Sequence, residues 1–290
     1  MSDTAGPPPT THCYRHPERE ANISCQRCGR AICPACMHDA SVGFHCPECV
    51  AEGARSVRAP RTVAGGRLPS QVGAATLTLI GVNAFVFLIT LLTGGSQSTV
   101  FEQGAMLSST AVNSTGNVLT GVADGAYWRL ITSAFLHQGY LHILFNMYAL
   151  YIFGPMLEQA LGLRRFIAMY VTTAVAASVF VYILAPANAL TIGASGAVFG
   201  LFAVALVMLI KAGKDVRFLL LLLVLNGLLS TQGNISWQGH LGGFVSGAIL
   251  GVAFAYSPRE HRRLAHGLVF ATMWVVIIVG ILVRTAQLQA

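Results

Sequence analysis

The stretch Gly193-Ala194-Ser195-Gly196 and, about 45 residues later, the stretch Gly239-His240-Leu241-Gly242-Gly243 both lie inside apolar segments of this chain. A serine and a histidine at membrane depth are a candidate nucleophile and a candidate general base. The second stretch continues a stripe with glycine at every fourth position, Gly239, Gly243, Gly247 and Gly251. Because such a stripe lets another helix approach closely, it predicts that the small-residue segment carrying Ser195 packs beside His240.

Each of the two residues also has a structural interpretation. A serine in a spanning helix is usually a packing residue or bonds its own backbone, and a histidine can serve only as a hydrogen-bond partner. The catalytic interpretation therefore depends on the rest of the chain.

The composition excludes an ordinary soluble protein. Hydrophobic residues make up 54% of the 290 residues and charged residues only 10%, and the mean hydropathy is +0.63. A soluble domain is about one quarter charged, so these values indicate a membrane protein. The net charge of +7 comes mostly from basic residues beside apolar segments. Membrane topology accounts for that placement better than nucleic-acid binding does, and no nucleic-acid partner is expected.

Seven apolar segments approach the length of about 20 residues that a spanning helix needs. They are 72–93, 140–161, 166–185, 192–210, 216–230, 237–256 and 265–283. Twelve Lys and Arg residues lie on one side of these spans, against Arg129 and Arg284 on the other. The bias predicts a multi-pass cell-membrane protein with a cytoplasmic N-terminus and an extracytoplasmic C-terminus. Ser195 and His240 then lie at similar depth, because the fourth and sixth spans both begin on the outer side.

A third group of polar residues surrounds the start of the second span. His142 and Asn146 are four residues apart, hence on one helix face, and both can donate hydrogen bonds to a developing oxyanion. The alternative is a polar patch that holds helices together. A metal site at His137 and His142 is disfavoured, because residues five apart point to different faces of a continuous helix.

Several motifs in register identify a resemblance. They are Trp128-Arg129 through His137, His142-x-x-x-Asn146, Gly154-x-x-x-Glu158-x-x-x-Gly162, Gly193-Ala-Ser195-Gly196 and His240-x-x-Gly243. Their order and spacing over roughly residues 72–258 resemble those of the rhomboid intramembrane serine proteases. The resemblance implies an all-α membrane protein with a six-helix core, a Ser–His dyad and no catalytic cofactor. Substrates would be membrane proteins whose spanning helix can unwind locally in the lipid bilayer.

The resemblance also implies individual roles. Ser195 would be the nucleophile and His240 the general base, and His142, Asn146 and the Ser195 backbone N–H would form the oxyanion hole. Phe199 stands where the family commonly has a tyrosine that packs on the catalytic histidine, so the stacking is kept without the hydroxyl. We expect this departure to adjust activity without abolishing it. A seventh C-terminal helix, found in only part of the family, is the second departure.

The N-terminal segment carries four two-ligand knuckles, which is enough for two tetrahedral zinc sites. The ligands are Cys13, His16, Cys25, Cys28, Cys33, Cys36, Cys46 and Cys49. Disulfides are disfavoured, because seven is an odd number and the segment is assigned to the cytosol. The module resembles a B-box-type zinc finger. That resemblance implies Cys13, His16, Cys33 and Cys36 on one ion and the other four cysteines on the second, with His38 or His45 as alternative ligands.

These observations divide the chain into five parts. They are a disordered N-terminus (1–12), a zinc-binding module (13–50), a flexible basic linker touching the anionic inner leaflet (51–70), a protease core (71–258) and an additional spanning helix with a tail (259–290). The zinc module has arginines offset by acids, so a cytosolic protein is a better partner for it than a nucleic acid.

The leading functional hypothesis is an intramembrane serine endopeptidase. The alternative is a non-enzymatic rhomboid-like protein that binds or chaperones transmembrane helices. Retention of both Ser195 and His240 favours the first, because inactive relatives typically lose one of them. A transporter is disfavoured by the lack of an internal repeat, and a metalloprotease by the lack of an HExxH motif in the spans.

Overall fold

A computed structural model describes residues 11–57, 60–229 and 236–290. The chain forms two compact units, Met1–Pro60 and Arg61–Ala290. Most of the expected disordered N-terminus (1–10), two residues of the expected linker (58–59) and the end of the fifth predicted span (230) lie outside the described residues.

The N-terminal unit consists of two small hairpins and one helix. Strand β1 (Ile23–Ser24) pairs antiparallel with β2 (Ala31–Ile32), and β3 (His38–Asp39) pairs antiparallel with β4 (Phe44–His45). Helix α1 (Pro47–Ser56) follows them. Cysteines make up most of the buried cluster in this unit, with little aliphatic volume. A core this small needs cross-links to be stable.

The second unit is helical. After α1 come α2 (Ala74–Leu92), α3 (Thr99–Gly104), α4 (Arg129–Thr132), α5 (Tyr140–Leu161), α6 (Leu163–Leu184), α7 (Ser195–Lys211), α8 (Arg217–Leu229), α9 (Trp237–Tyr256) and α10 (Arg262–Gln289). In the described part of the chain, α2, α5, α6, α9 and α10 are long and apolar enough to cross a membrane, and α7 and α8 are shorter apolar helices. The predicted fold class, a helical membrane core with a seventh helix, is confirmed.

The largest differences between the helices and the predicted spans occur at a glycine with positive φ and at helix ends with polar residues. Helices α5 and α9 have the predicted bounds. Helix α7 begins three residues later than expected, at Ser195, because Gly193 has a φ of +124° that interrupts the helix. Helix α10 is longer than expected at both ends, since the helical backbone continues through polar residues that the apolar span does not include.

One buried arginine organises the long connection between α2 and α5. Arg129 is fully buried, and its Nε donates to the carbonyl of Thr120 at 2.7 Å. Its Nη1 donates to the carbonyls of Glu102 and Ala105 at 2.8 and 2.6 Å. The same connection contains a hairpin of β5 (Ala111–Val112) and β6 (Val118–Leu119). A segment that looks featureless in sequence is therefore held by charge-assisted bonds to carbonyl groups.

Residues 51–70, which were expected to form a flexible linker, are partly helical and partly packed in the structure. Residues 51–56 belong to α1 in the N-terminal unit. In the helical unit, Ala64 is fully buried and its N–H donates to the carbonyl of Ala160 at 3.1 Å. A Cβ added to Gly66 would lie 2.2 Å from the carbonyl oxygen of Leu161. The small residues that suggested flexibility thus allow close packing on the end of α5.

A buried carboxylate joins α5 to the start of α2. Glu158 is fully buried and accepts hydrogen bonds from the N–H groups of Ala75 and Thr76 at 3.3 and 3.2 Å. It also accepts one from the Thr76 hydroxyl at 3.2 Å. These N–H groups lie in the first turn of α2, where they lack helical partners and the helix dipole favours a negative charge. Glu158 therefore caps a helix from a neighbouring element.

The change Glu158→Gln is expected to lower the midpoint of thermal unfolding, by an amount that corresponds to about 1–3 kcal/mol. The amide keeps the shape but loses the charge, and its NH₂ group faces donors. Differential scanning fluorimetry of the purified protein measures the effect. The exposed Glu260 is the matched control, and Glu260→Gln should melt with the parent protein. Equal midpoints for all three proteins would contradict the capping role.

Candidate functional site

The glycines of α9 place its backbone directly against α7. A Cβ added to Gly243 would lie 1.8 Å from the carbonyl oxygen of Gly196, and one added to Gly247 would lie 2.4 Å from that of Gly200. At Gly251 the corresponding distance to the Cα of Val204 is 3.1 Å. The predicted packing of the glycine stripe against the helix that carries Ser195 is confirmed.

Ser195 is the first residue of α7, where backbone N–H groups have no helical partner. Before it, the N–H of Gly193 donates to the carbonyl of Ser133 at 2.9 Å. A Cβ on Gly193 would lie 2.8 Å from Nε2 of His142 and 3.5 Å from Oγ of Ser195. The imidazole of His142 and the hydroxyl of Ser195 therefore border one small space, and only glycine fits beside it with its positive φ.

His240 is the fourth residue of α9 and is 8% exposed. Its ring is stacked on that of Phe199, with 4.1 Å between the ring centroids and 12° between the planes. Phe199 lies one turn after Ser195 on α7, so both residues share a helix face. The imidazole of His240 consequently packs on the face of α7 that carries the hydroxyl of Ser195.

The polar group of His137, His142 and Asn146 is not arranged on one continuous helix, as its sequence interpretation assumed. His137 precedes α5, which begins at Tyr140 after Gly139 with a φ of +82°. The argument that His137 and His142 point to different faces of one continuous helix is therefore wrong. Their rings pack edge to face with centroids 5.0 Å apart, and His137 is buried. The predicted span also began at Tyr140, but the argument about His137 and His142 assumed one continuous helix and so missed the contact between their rings.

Asn146 lies one turn along α5 from His142. One N–H of its side chain donates to the carbonyl of His142 at 3.0 Å, and the amide group carries a second N–H. The structure thus brings His142 beside Ser195, with Asn146 on the same face of α5. Together with the first-turn N–H groups of α7, this end of the helical unit holds a hydroxyl, two imidazoles and several hydrogen-bond donors. Such a set can carry out acyl transfer at a carbonyl group.

The N-terminal unit brings all eight predicted metal ligands together in two clusters. Cys13, His16, Cys33 and Cys36 form the first, and Cys25, Cys28, Cys46 and Cys49 form the second, with ligand atoms within 4.8 Å of one another. These clusters could hold metal ions. The division matches that of the interleaved zinc finger, and the first cluster contains His16 and neither of the alternative ligands His38 and His45.

The distances in the clusters suit a tetrahedral ion. Nδ1 of His16 lies 3.4 Å from Sγ of Cys33 and 3.3 Å from Sγ of Cys36, and Sγ of Cys28 lies 3.7 Å from Sγ of Cys46. Zinc bonds of about 2.0–2.3 Å imply ligand separations of about 3.3–3.8 Å. The sulfur and imidazole donors are those that zinc prefers.

Neighbouring thiols in the first cluster also shift one another's pKa values. Burial opposes ionisation of Cys13, but hydrogen bonds from backbone N–H groups, led by that of Cys33, lower its pKa to about 6. Burial, together with side-chain hydrogen bonds to Cys13 and Cys33, raises the pKa of Cys36 to about 11. One thiolate thus hinders the ionisation of the next, and a bound cation would remove this conflict by neutralising both.

Comparison with known proteins bears on the helical unit. A family model described as the rhomboid domain matches residues 124–257, a range that includes all the candidate catalytic residues. The putative rhomboid protease YdcA of Bacillus subtilis (strain 168) is 36% identical over 149 residues, which cover 49% of this chain and 74% of that protein. The chain belongs to the rhomboid family.

Two further relatives match parts of this rhomboid chain. Rhomboid protease GluP of Bacillus subtilis (strain 168) is 28% identical over 213 residues, covering 71% of the chain and 39% of that protein. Rhomboid-like protein 11, chloroplastic, of Arabidopsis thaliana is 34% identical over 141 residues, covering 49% of the chain and 48% of that protein. The rhomboid chain thus spans about half or less of these two relatives.

The close approach of α7 and α9 in this rhomboid chain makes Gly243 sensitive to substitution. Gly243→Ala would put a methyl group into the carbonyl of Gly196, so the two helices must separate. We expect destabilisation of about 1–3 kcal/mol from overpacking, seen as a lower unfolding midpoint. Gly267 of α10 is the matched control, since an added Cβ there meets nothing within 4 Å. If Gly267→Ala lowers the midpoint as much as Gly243→Ala does, the packing argument fails.

Proposed function

We propose that this rhomboid-family chain is an intramembrane serine endopeptidase that cleaves transmembrane segments with a Ser195–His240 dyad. One observation carries the proposal. The imidazole of His240 is stacked on Phe199, one turn from Ser195, across two helices in backbone contact. A nucleophile and a base must lie within hydrogen-bond reach when the substrate is bound, and the backbone contact of the two helices supports such an approach.

In the proposed reaction, Oγ of Ser195 attacks the carbonyl carbon of the scissile peptide bond while His240 takes the hydroxyl proton. The resulting oxyanion would accept hydrogen bonds from the backbone N–H of Ser195, the ring of His142 and the amide of Asn146. His240 then gives its proton to the leaving amine as the C–N bond breaks. Water, deprotonated by the same imidazole, hydrolyses the acyl-enzyme and restores the Ser195 hydroxyl.

The proposed dyad contains no carboxylate to orient the imidazole. Burial of His240 and its stacking on Phe199 would hold the ring instead, by packing rather than by an ion pair. Imidazolium formation in such a site lacks the stabilisation that an aspartate provides, so slow turnover is expected. The absence of a tyrosine hydroxyl at position 199 leaves the stacking contact intact.

The proposed location is the cell membrane, with the N-terminal unit in the cytosol and the C-terminus outside. The supporting observation is the excess of Lys and Arg on one side of the spans. The substrates would be other membrane proteins, whose spanning helices enter the site from the bilayer.

For the N-terminal unit we propose two structural zinc ions and the recruitment of a cytosolic protein partner. A module that recruits a partner does not take part in the chemistry. Deletion of residues 1–60 should therefore leave turnover of a purified model substrate unchanged, whereas a sharp change would contradict the recruitment hypothesis.

The proposed enzyme is tested by labelling with a fluorophosphonate probe, which reacts with activated serine nucleophiles. We expect the purified, detergent-solubilised parent protein to be labelled and the variants Ser195→Ala and His240→Ala to remain unlabelled. Equal labelling of all three proteins would mean that another nucleophile reacts. If none of them is labelled although all are folded, the non-enzymatic, helix-binding alternative is favoured.

A further inference from the structure

Arginine side chains converge where α6 and α10 begin. Nε of Arg165 donates to Nδ1 of His266 at 3.1 Å, and Nη1 of Arg262 donates to the carbonyl of Val63 at 2.8 Å. The positive charges of Arg262, Arg263 and Arg61 all lie near enough to act on Arg165. We call Arg61, Arg165, Arg262 and Arg263 the arginine cluster.

The arginine cluster has no carboxylate partner among the described residues. The three ion pairs found within 4.0 Å in that part of the chain all belong to the N-terminal unit. Of the nearby acids, Glu158 binds the start of α2 and Glu260 is exposed. Nε of Arg262 is buried without a hydrogen-bond partner. Since like charges repel, a bound anion would stabilise this arrangement.

Two helix ends add to the positive potential. Helix α6 begins at Leu163 and α10 begins at Arg262, so the N-terminal ends of two long helices lie beside the arginine cluster. Backbone N–H groups and the helix dipole at such ends favour a negative group. The preferred ligand carries an anionic oxygen group such as a phosphate.

An apolar groove runs from this end of the unit between α6 and α10. Its volume is about 580 Å³, and its walls include Ile167, Val171, Phe270 and Trp274. Arg164 is the one charged residue in its lining, at the end where α6 begins. Thr172, also in the lining, is eight residues further along α6, or about 12 Å along the helix axis. The groove therefore combines a cationic end with apolar walls that continue along α6 and α10.

The shape and charge of the groove indicate its occupant. A spanning helix of another protein would cover the apolar walls but would bring no negative group to Arg164. A free phosphate would meet the arginines but leave the apolar walls uncovered. A phospholipid satisfies both parts, with its phosphate at Arg164 and an acyl chain along Phe270 and Trp274. Arg263 of the cluster is seven residues before Phe270, hence on the same face of α10 and at the same end of the groove. A second groove, on the α9 side of α10, contains no charged residue in its lining of Ala248, Ile249, Val252, Ala253 and Val269.

We propose that the α6–α10 groove and the arginine cluster form a binding site for one anionic phospholipid of the adjacent leaflet. The site is distinct from the Ser195 region and does not depend on the proposed protease activity. The bound lipid contacts both α6 and α10, so it fastens the seventh helix to the core.

The fluorescence of Trp274, which lies in the groove wall, reports whether a lipid is bound. The full-length protein is reconstituted into vesicles in which a minor fraction of either phosphatidylglycerol or phosphatidylcholine carries brominated acyl chains, which quench nearby tryptophan fluorescence. We expect phosphatidylglycerol to quench selectively, and Trp274→Phe to remove the selective part of the signal. One basic residue near an anionic lipid changes its binding about fivefold. The double variant Arg164→Gln, Arg263→Gln should therefore lower the preference for phosphatidylglycerol at least about fivefold.

The matched control removes two exposed positive charges, one from the connection between α7 and α8 and one from the first residue of α8. The variant Lys214→Gln, Arg217→Gln should keep the preference of the parent protein. Equal quenching by the two lipids would overturn the proposal. The same conclusion follows if both double variants reduce the preference equally, since the effect would then report general surface charge and not this site.

Discussion

Cleavage of a single-span model substrate is expected to fall at least about 10⁴-fold when Ser195 is replaced by alanine. His240→Ala should cost about as much, because without the base the hydroxyl is a weak nucleophile. The double variant should be hardly slower than either single one. Residues that act as a unit are strongly non-additive, and two independent contributions would instead multiply. This pattern separates a dyad from two residues that merely support the fold.

The measurement is initial cleavage rate in proteoliposomes, with enzyme and substrate in the same bilayer. Ser246→Ala is the matched serine control, because the hydroxyl of Ser246 donates to the carbonyl of Gly243 in its own helix at 3.0 Å. His261→Ala, at an exposed position, is the histidine control. Both should cleave at the parent rate. Substantial cleavage by folded Ser195→Ala protein would exclude Ser195 as the nucleophile.

The expected sensitivity follows from how the site is built. Gly193 keeps the space beside His142 and Ser195 open, and Gly243 lets α9 approach α7 until backbones touch. The stack of His240 on Phe199 is a consequence of that approach. In the proposed dyad, small residues would thus do indirectly what an acid does in a triad, since they allow the close packing that holds the imidazole against Phe199.

Sequence patterns predicted the parts of the fold that depend on local periodicity. The glycine repeat predicted the contact of α9 with α7, and hydropathy predicted the bounds of α5 and α9, because each signal lies within one helix. The two-residue spacing of the knuckles likewise predicted eight ligands, which the structure gathers into two clusters.

Features that depend on distant contacts could not be predicted in this way. The hydrogen bonds of Arg129 join it to carbonyls as many as 27 residues away, and those of Glu158 reach N–H groups 82 and 83 residues away. The contact of His137 with His142 depends on the path of the chain before Tyr140, which the bounds of a predicted span do not give. Packing of Ala64 on α5 is of the same kind. Each of these contacts requires a partner that local periodicity does not identify.

Removal of metal from the full-length protein is expected to unfold the N-terminal unit and leave the helical unit folded. Cysteines make up most of the buried cluster of the N-terminal unit, so the proposed ions would take the place of a hydrophobic core. A structural zinc ion contributes about 10–16 kcal/mol in small modules, far more than the hairpins can supply. Mass spectrometry should find two zinc ions per chain before treatment with a strong chelator. Hydrogen exchange should then become fast in residues 11–57 and stay slow in the helices of 61–290.

Histidine variants test the division of ligands between the two clusters. His16 lies within 3.3–3.9 Å of three sulfur atoms, so His16→Ala should lose one zinc ion of the two. His38 and His45 face each other as a register pair of the β3–β4 hairpin, outside both clusters. His38→Ala and His45→Ala are therefore the matched controls and should keep two ions. If His38→Ala or His45→Ala loses an ion and His16→Ala loses none, the assignment of His16 as the histidine ligand is wrong. The variant that lacks a ligand is the one that should bind less zinc.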